Sequence, residues 1–183
     1  MAVSLEQITQ WLKEKDVEFD QTSPTAEDES EREISFHTKK GDHTYSHTIY
    51  TRYEGKLFLW RMYLLDEENE TIIFKDSPHL SEIFRYTLTL NYLKDFGSWE
   101  YRPVIDSLRL SVEIPLEDAP MTSAQFGRIF DYMTEEGTAD GEAIRRVMET
   151  GEVPPDPFVD AFSRLFMGMF QKAFELNENE EGI

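Results

Sequence analysis

Residues 34–65, ISFHTKKGDHTYSHTIYTRYEGKLFLWRMYLL, carry the pattern on which the fold turns. Apolar and polar side chains alternate with a period of two, as in strands whose faces meet different surroundings. Gly41-Asp42 and Glu54-Gly55 are two-residue turn signals. Folding the stretch on those turns collects Ile34, Phe36, Tyr45, His47, Ile49, Phe58, Trp60, Met62 and Leu64 on one face. The other face receives Ser35, His37, Thr44, Ser46, Thr48 and Arg52, together with Leu57, Leu59, Tyr63 and Leu65. A one-residue slip would mix the two sets, so the alternation predicts a three-stranded antiparallel meander in this register.

Upstream, the period is 3.6. Leu5, Ile8 and Leu12 share a stripe with Trp11 beside them, Ser4 and Gln7 form a capping box, and Val3 can staple onto Ile8. Residues 20–33 (DQTSPTAEDESERE) hold six acids, one Arg and no Val, Ile, Leu or aromatic residue, and are expected to form a mobile acidic loop. The tail 175–183 (ELNENEEGI) is expected to fray for the same reason.

Downstream, Thr71 to Phe74 reads as a short strand or the approach to a turn. After Pro78 a helix is predicted from about Leu80 to Lys94, with Gly97 at its C-cap. Its apolar residues spread beyond one stripe, which predicts a well-buried central helix. A hairpin turning at Asp106-Ser107 follows. It pairs Trp99 with Ile114, Tyr101 with Val112, Pro103 with Leu110 and Ile105 with Leu108, and the proline places its strand at an edge or a bulge. Thr122 and Gln125 form a second capping box, opening a helix with Phe126, Ile129, Phe130 and Met133 that is expected to stop at Gly137. A shorter helix holds Ile144, Val147 and Met148. Beyond Pro154-Pro155, Asp156-Pro157 restarts a helix with a Phe/Met stripe from Phe158 to Phe174.

The fold class is therefore α+β: an antiparallel sheet, meander plus hairpin, packed with helices in the order α-βββ-α-ββ-α, with extra C-terminal helices. Residues 1–137 are expected to form the domain, and residues 138–183 a helical extension packing on it.

The stretch LWRMYLLDEENETIIFKDSPHLSEIFRYTLTLNYLKDFGSWEYRPVIDSLRLSVEIPLEDAPMTSAQF (59–126) has an aliphatic strand before an acidic turn and a helix ending in LNYLKDFGSWEY. The alternating LRLSVEIPL and a polar turn opening a helix at MTSAQF complete the pattern. From about Leu5 to Tyr132 the chain resembles the YbjN-like family, whose fold is similar to that of type III secretion chaperones. The resemblance implies a small antiparallel sheet with helices on one face and protein binding, often as a dimer, by the open sheet or its edge. It implies no catalytic residue. The acidic stretch 20–33 and the helices after Gly137 lie outside the family pattern.

Chemistry on the 183-residue chain is bounded by its composition. It has 37 acidic and 18 basic residues, a net charge of −19, and no cysteine. Disulfide scaffolds, thiolate metal sites and thiol nucleophiles are excluded. The charge disfavours nucleic acid and anionic membrane as partners. No apolar run approaches a membrane span and no secretory pattern opens the chain, so a cytoplasmic protein is expected. The glycines are scattered, without a phosphate-binding loop. His43 and His47 are too far apart along a strand to share one ion, and His47, opposite Phe36 and Met62, reads as a hydrogen-bonded core histidine. Glu100 and Glu113 face each other across the predicted hairpin, with Arg102 and Arg109 close enough to neutralise them.

No catalytic residue, cofactor site or metal site is assigned. The candidate partner-binding residues are Tyr50, Leu57, Leu59, Tyr63 and Leu65, an apolar cluster on an otherwise Thr/Ser/Arg face. The Phe158–Phe174 stripe either covers that face, forms a dimer seam or is itself a partner site. The expected function is a non-enzymatic cytoplasmic protein-binding module, chaperone-like or a regulatory adaptor. It would bind another protein, or a segment of one, by the sheet face or edge, as a homodimer. The alternatives are a small-ligand or enzymatic domain without a recognisable motif, and an acidic mimic of nucleic acid.

Overall fold

Alternation sets the strand register. In the computed structural model, β2 (Glu33–Lys40), β3 (His43–Arg52) and β4 (Leu57–Leu64) pair antiparallel. Ile34 lies opposite Ile49, Phe36 opposite His47, His47 opposite Met62 and Tyr45 opposite Leu64, the pairing that the two turns impose. The second turn is longer than two residues. Tyr53, Glu54 and Gly55 all adopt positive φ, and the Gly55 N–H donates to the Arg52 carbonyl.

The structure describes residues 3–22 and 33–155. The chain divides into two compact units, Met1–Glu152 and Val153–Ile183. The boundary expected at residue 137 falls inside the first unit. The Asp156–Pro157 restart, the Phe158–Phe174 stripe and the acidic tail lie outside the described residues, as do residues 23–32 of the acidic stretch.

The first unit is α+β, with one six-stranded antiparallel sheet in the order β1-β2-β3-β4-β6-β5. The two ends of the expected acidic loop are strand: β1 (Asp20–Thr22) pairs with β2, which itself begins at Glu33. β1 has no apolar residue to reveal it, because an edge strand can be held by backbone hydrogen bonds alone.

The second hairpin differs from expectation. β5 (Ser98–Arg102) and β6 (Ser107–Pro115) pair Trp99 with Leu110 and Tyr101 with Leu108, four residues away from the predicted register. Pro103 is not in a strand. It opens the turn, where its fixed φ and missing N–H are harmless. Asp106 closes that turn at φ 48°, its carboxylate accepting from the Tyr101 hydroxyl at 2.6 Å. An even shift keeps every side chain on its expected face. It does change neighbours: Glu100 lies opposite Arg109, and Glu113 opposite Leu59, so the two acids do not meet.

The helices pack on the first face. α1 (Leu5–Glu14) begins with the Ser4–Gln7 capping box and buries Leu5, Ile8 and Leu12. α3 (Ser123–Asp131) begins with the Thr122–Gln125 box. Its Phe126 ring lies 5.7 Å from Trp60 and 5.3 Å from Trp11, and Phe130 stacks 6.5 Å from Phe36.

Gly137 does not stop this helix. A π-helical turn, Tyr132–Glu136, leads without a break into α4 (Gly137–Thr150), the Gly137 N–H donating to the Tyr132 carbonyl. The glycine serves approach instead of termination, because a β-carbon there would lie 2.7 Å from Cδ2 of Leu110. The stop comes at Gly151, in the left-handed conformation, whose N–H caps the Val147 carbonyl.

α2 (Leu80–Leu93) ends at Lys94, three residues before Gly97. It is not the well-buried helix expected. Ile83, Thr87 and Leu90 are buried along one stripe, whereas Leu88 is 69% and Tyr92 81% exposed. The stretch Thr71–Phe74 forms a single bridge, Leu65 to Thr71, and then turns to bury Phe74.

Candidate functional site

His47 closes the first face. It is fully buried, stacked 4.7 Å from Phe36. The Trp60 indole N–H can only donate, and it donates to Nδ1 of His47 at 3.2 Å. The imidazole proton therefore sits on Nε2 and is given to Thr38 Oγ1 at 2.8 Å. Burial, with a smaller contribution from His37, pushes the His47 pKa down to about 3. Both nitrogens are consumed by this neutral network, which makes His47 a core residue. Among the described residues no group of three or more His, Asp or Glu side chains is placed to hold a metal ion.

The five candidate residues lie on the second face. Tyr50 is half-buried opposite Leu59, and Arg61 covers its ring at 5.1 Å. Burial, and then Glu33, raise the Tyr50 pKa. Leu57 is half-buried opposite Arg52 and Pro115. Tyr63 is half-buried opposite Arg109, and its hydroxyl accepts from Arg102 Nη1 at 3.2 Å. Leu59 and Leu65 are buried, only 2% and 4% exposed, and the Leu65 carbonyl accepts from Arg145. The strands thus bring Tyr50, Leu57 and Leu59 together, with Tyr63 further along β4. Leu65 sits apart, at the bridge beyond the strand.

Polar groups complete this face. Arg109 grips Glu100 through Nη2 at 2.7 Å and Nε at 2.8 Å. Arg61 Nε, Ser107 Oγ and Ser111 Oγ are buried without a hydrogen-bond partner. All three belong to residues that alternate onto the second face of β4 and β6. Among the described residues, the ring contacts of α1 and α3 and the close approach of α4 fall on the first face.

The edges differ from the face. The outward backbone groups of Trp99 on edge strand β5 are taken by one side chain: Asn91 Oδ1 accepts from the Trp99 N–H at 2.7 Å, and Asn91 Nδ2 donates to its carbonyl at 2.8 Å. Asn91 therefore does the work of a neighbouring strand at this position. Beside it, Lys94 and Asp140 pair at 2.7 Å, and the Trp99 indole donates to the same carboxylate oxygen at 3.2 Å. Burial first, then Asp140 and Glu136, hold the Tyr132 hydroxyl well above its ordinary pKa. This cluster ties the end of α2 to α4 and β5.

A cleft of about 390 Å³ opens beside α3. It is lined by Phe96, Ile114, Leu116, Met121 and Ile129, with Gln125 and Arg128 as its polar members. The sequence pattern missed it because Phe96 and Met121 come from connecting loops that have no periodicity. The Thr122–Gln125 capping box was the one legible signal nearby.

Among the described residues no helix is long and apolar enough to cross a membrane. No protein-family model, curated protein or solved structure matches this chain.

Proposed function

We propose that this chain is a non-enzymatic cytoplasmic protein-binding module, chaperone-like or a regulatory adaptor, working as a homodimer. Its second sheet face holds a segment of another protein. The observation that carries the reading is the one-sided placement of the described helices. The opposite face keeps Tyr50, Leu57 and Tyr63 half-exposed among polar side chains, a mixture suited to an interface with an apolar centre and a polar rim. The unpartnered Arg61 Nε, Ser107 Oγ and Ser111 Oγ would give a bound segment hydrogen-bonding groups. Strand addition at β5 is the less favoured mode, because Asn91 already occupies the Trp99 edge.

The test is capture of a partner from native lysate by tagged wild type and by Tyr63→Asp. Arg102 and Arg109 stand ready to neutralise the new carboxylate, so the variant is expected to fold. The expected result is a stoichiometric protein partner lost with Tyr63→Asp at unchanged circular dichroism and retained with Leu88→Asp on α2. Capture unaffected by Tyr63→Asp, or no stoichiometric partner, would refute the reading.

A further inference from the structure

The cleft beside α3 has apolar walls and a rim of uniform hydrogen-bonding character. Leu116, Met121 and Ile129 are buried, Ile114 is half-buried and Phe96 is 37% exposed. A volume of about 390 Å³ lies at the small end of the range for small-molecule sites.

The rim belongs to α3. Gln125 Oε1 accepts from the Thr122 backbone N–H at 2.8 Å and from Thr122 Oγ1 at 3.0 Å. A backbone N–H can only donate, so the orientation of the amide is fixed, and its NH2 group is left to face away from the cap. Arg128, one turn along, is exposed and makes no ion pair or hydrogen bond among the described residues. Two acids near it are already engaged, Asp131 with Lys15 at 3.1 Å and Asp118 with Lys56 at 3.9 Å. The rim therefore offers donors and a positive charge, on a chain whose net charge is −19.

We propose that this cleft binds a small monocarboxylate with an apolar body. The hydrocarbon lies against Ile114, Met121 and Phe96, and the carboxylate meets the Arg128 guanidinium and the Gln125 amide. A carboxylate accepts from both groups at once, and charge-assisted pairs of this kind outweigh neutral ones. An alcohol of the same length keeps only the apolar contacts and a weaker hydrogen bond, while an amine is repelled by Arg128. The site lies on the helix-bearing side of the sheet and does not depend on protein binding at the opposite face.

The probes are decanoate, decan-1-ol and decylamine, titrated into the full chain by calorimetry, with amide chemical shifts followed in parallel. Decanoate is expected to bind saturably, one per chain, and roughly tenfold more tightly than the alcohol. Shifts should concentrate at Ile114, Met121 and Ile129. Arg128→Gln, at an exposed helical position, is expected to fold, to bind the alcohol unchanged and to lose the preference for the acid. Absence of saturable decanoate binding would overturn the proposal, as would equal affinity for acid and alcohol or an unaltered preference in Arg128→Gln. Shifts centred elsewhere, or a dimer that decanoate neither dissolves nor binds, would assign the cleft to another occupant and overturn it as well.

Discussion

Gly141 lies directly against Tyr45: a β-carbon at position 141 would come within 2.6 Å of Cε1 of the ring. Tyr45 cannot retreat easily, since it is fully buried and its hydroxyl donates to the Thr138 carbonyl at 3.1 Å. Gly141→Ala is therefore expected to destabilise the fold by about 1–2 kcal/mol, overpacking outweighing the gain in helix propensity. Gly127→Ala is the control. Nothing lies within 4 Å of a β-carbon there, so the same change in mid-helix should stabilise by up to about 1 kcal/mol. Urea melts of the two variants decide it, and equal signs would sink the argument.

His47 makes stability fall with acid. In the unfolded chain it takes a proton near its ordinary pKa of 6.5, whereas in the fold it stays neutral down to about 3. The unfolded state thus binds more protons throughout that window. Stability is fully present above about pH 6.5 and is lost progressively as pH falls toward 3, by about 1 kcal/mol per pH unit. Unfolding midpoints between about pH 5 and 6.5, above most carboxylate titrations, should slope less in His47→Gln than in wild type. Identical slopes would contradict the buried neutral network.

Asn91 guards an edge. Asn91→Ala removes both hydrogen bonds to Trp99 and is expected to cost about 1–2 kcal/mol. It also exposes a backbone N–H and carbonyl on an edge strand, so light scattering should report self-association that wild type does not show. A variant with lowered stability and no association would limit Asn91 to a local bond.

The Lys94–Asp140 pair is largely shielded, with side chains 15% and 14% exposed. Asp140→Ala strands the ammonium and the Trp99 indole, and is expected to cost about 2–4 kcal/mol. Adding Lys94→Met should recover part of that loss, because no buried charge then remains unpaired. Thermal melts of the single and double variants provide the check.

The meander was legible because every odd slip of register moves Trp60, Phe58 and Met62 to the wrong face. The second hairpin was not legible to the same depth. A shift of four residues leaves Trp99 and Leu110 on the same face, so alternation is blind to it, and only the turn chemistry of Pro103 and Asp106 decides. Gly137 shows a different limit. Glycine marks a helix end and a close approach with equal weight, and the sheet that tells them apart is formed by residues far along the chain. The apolar count of α2 likewise could not say that Leu88 and Tyr92 face outward. The five partner candidates were legible as one face, but the burial of Leu59 and Leu65 depends on packing that alternation does not encode.

The π-helical turn between α3 and α4 has a consequence for insertions and deletions. Each residue turns an α-helix by about 100°, so the extra residue accommodated within 132–136 sets the phase of everything after it. Deleting Thr134 would let the segment relax into regular helix, yet would swing Gly137 and Gly141 away from Leu110 and Tyr45 and drive bulkier neighbours into the sheet. Such a deletion should abolish cooperative unfolding even though it removes an irregularity. The length of this segment is therefore as much a part of the fold's specification as the identity of any residue within it.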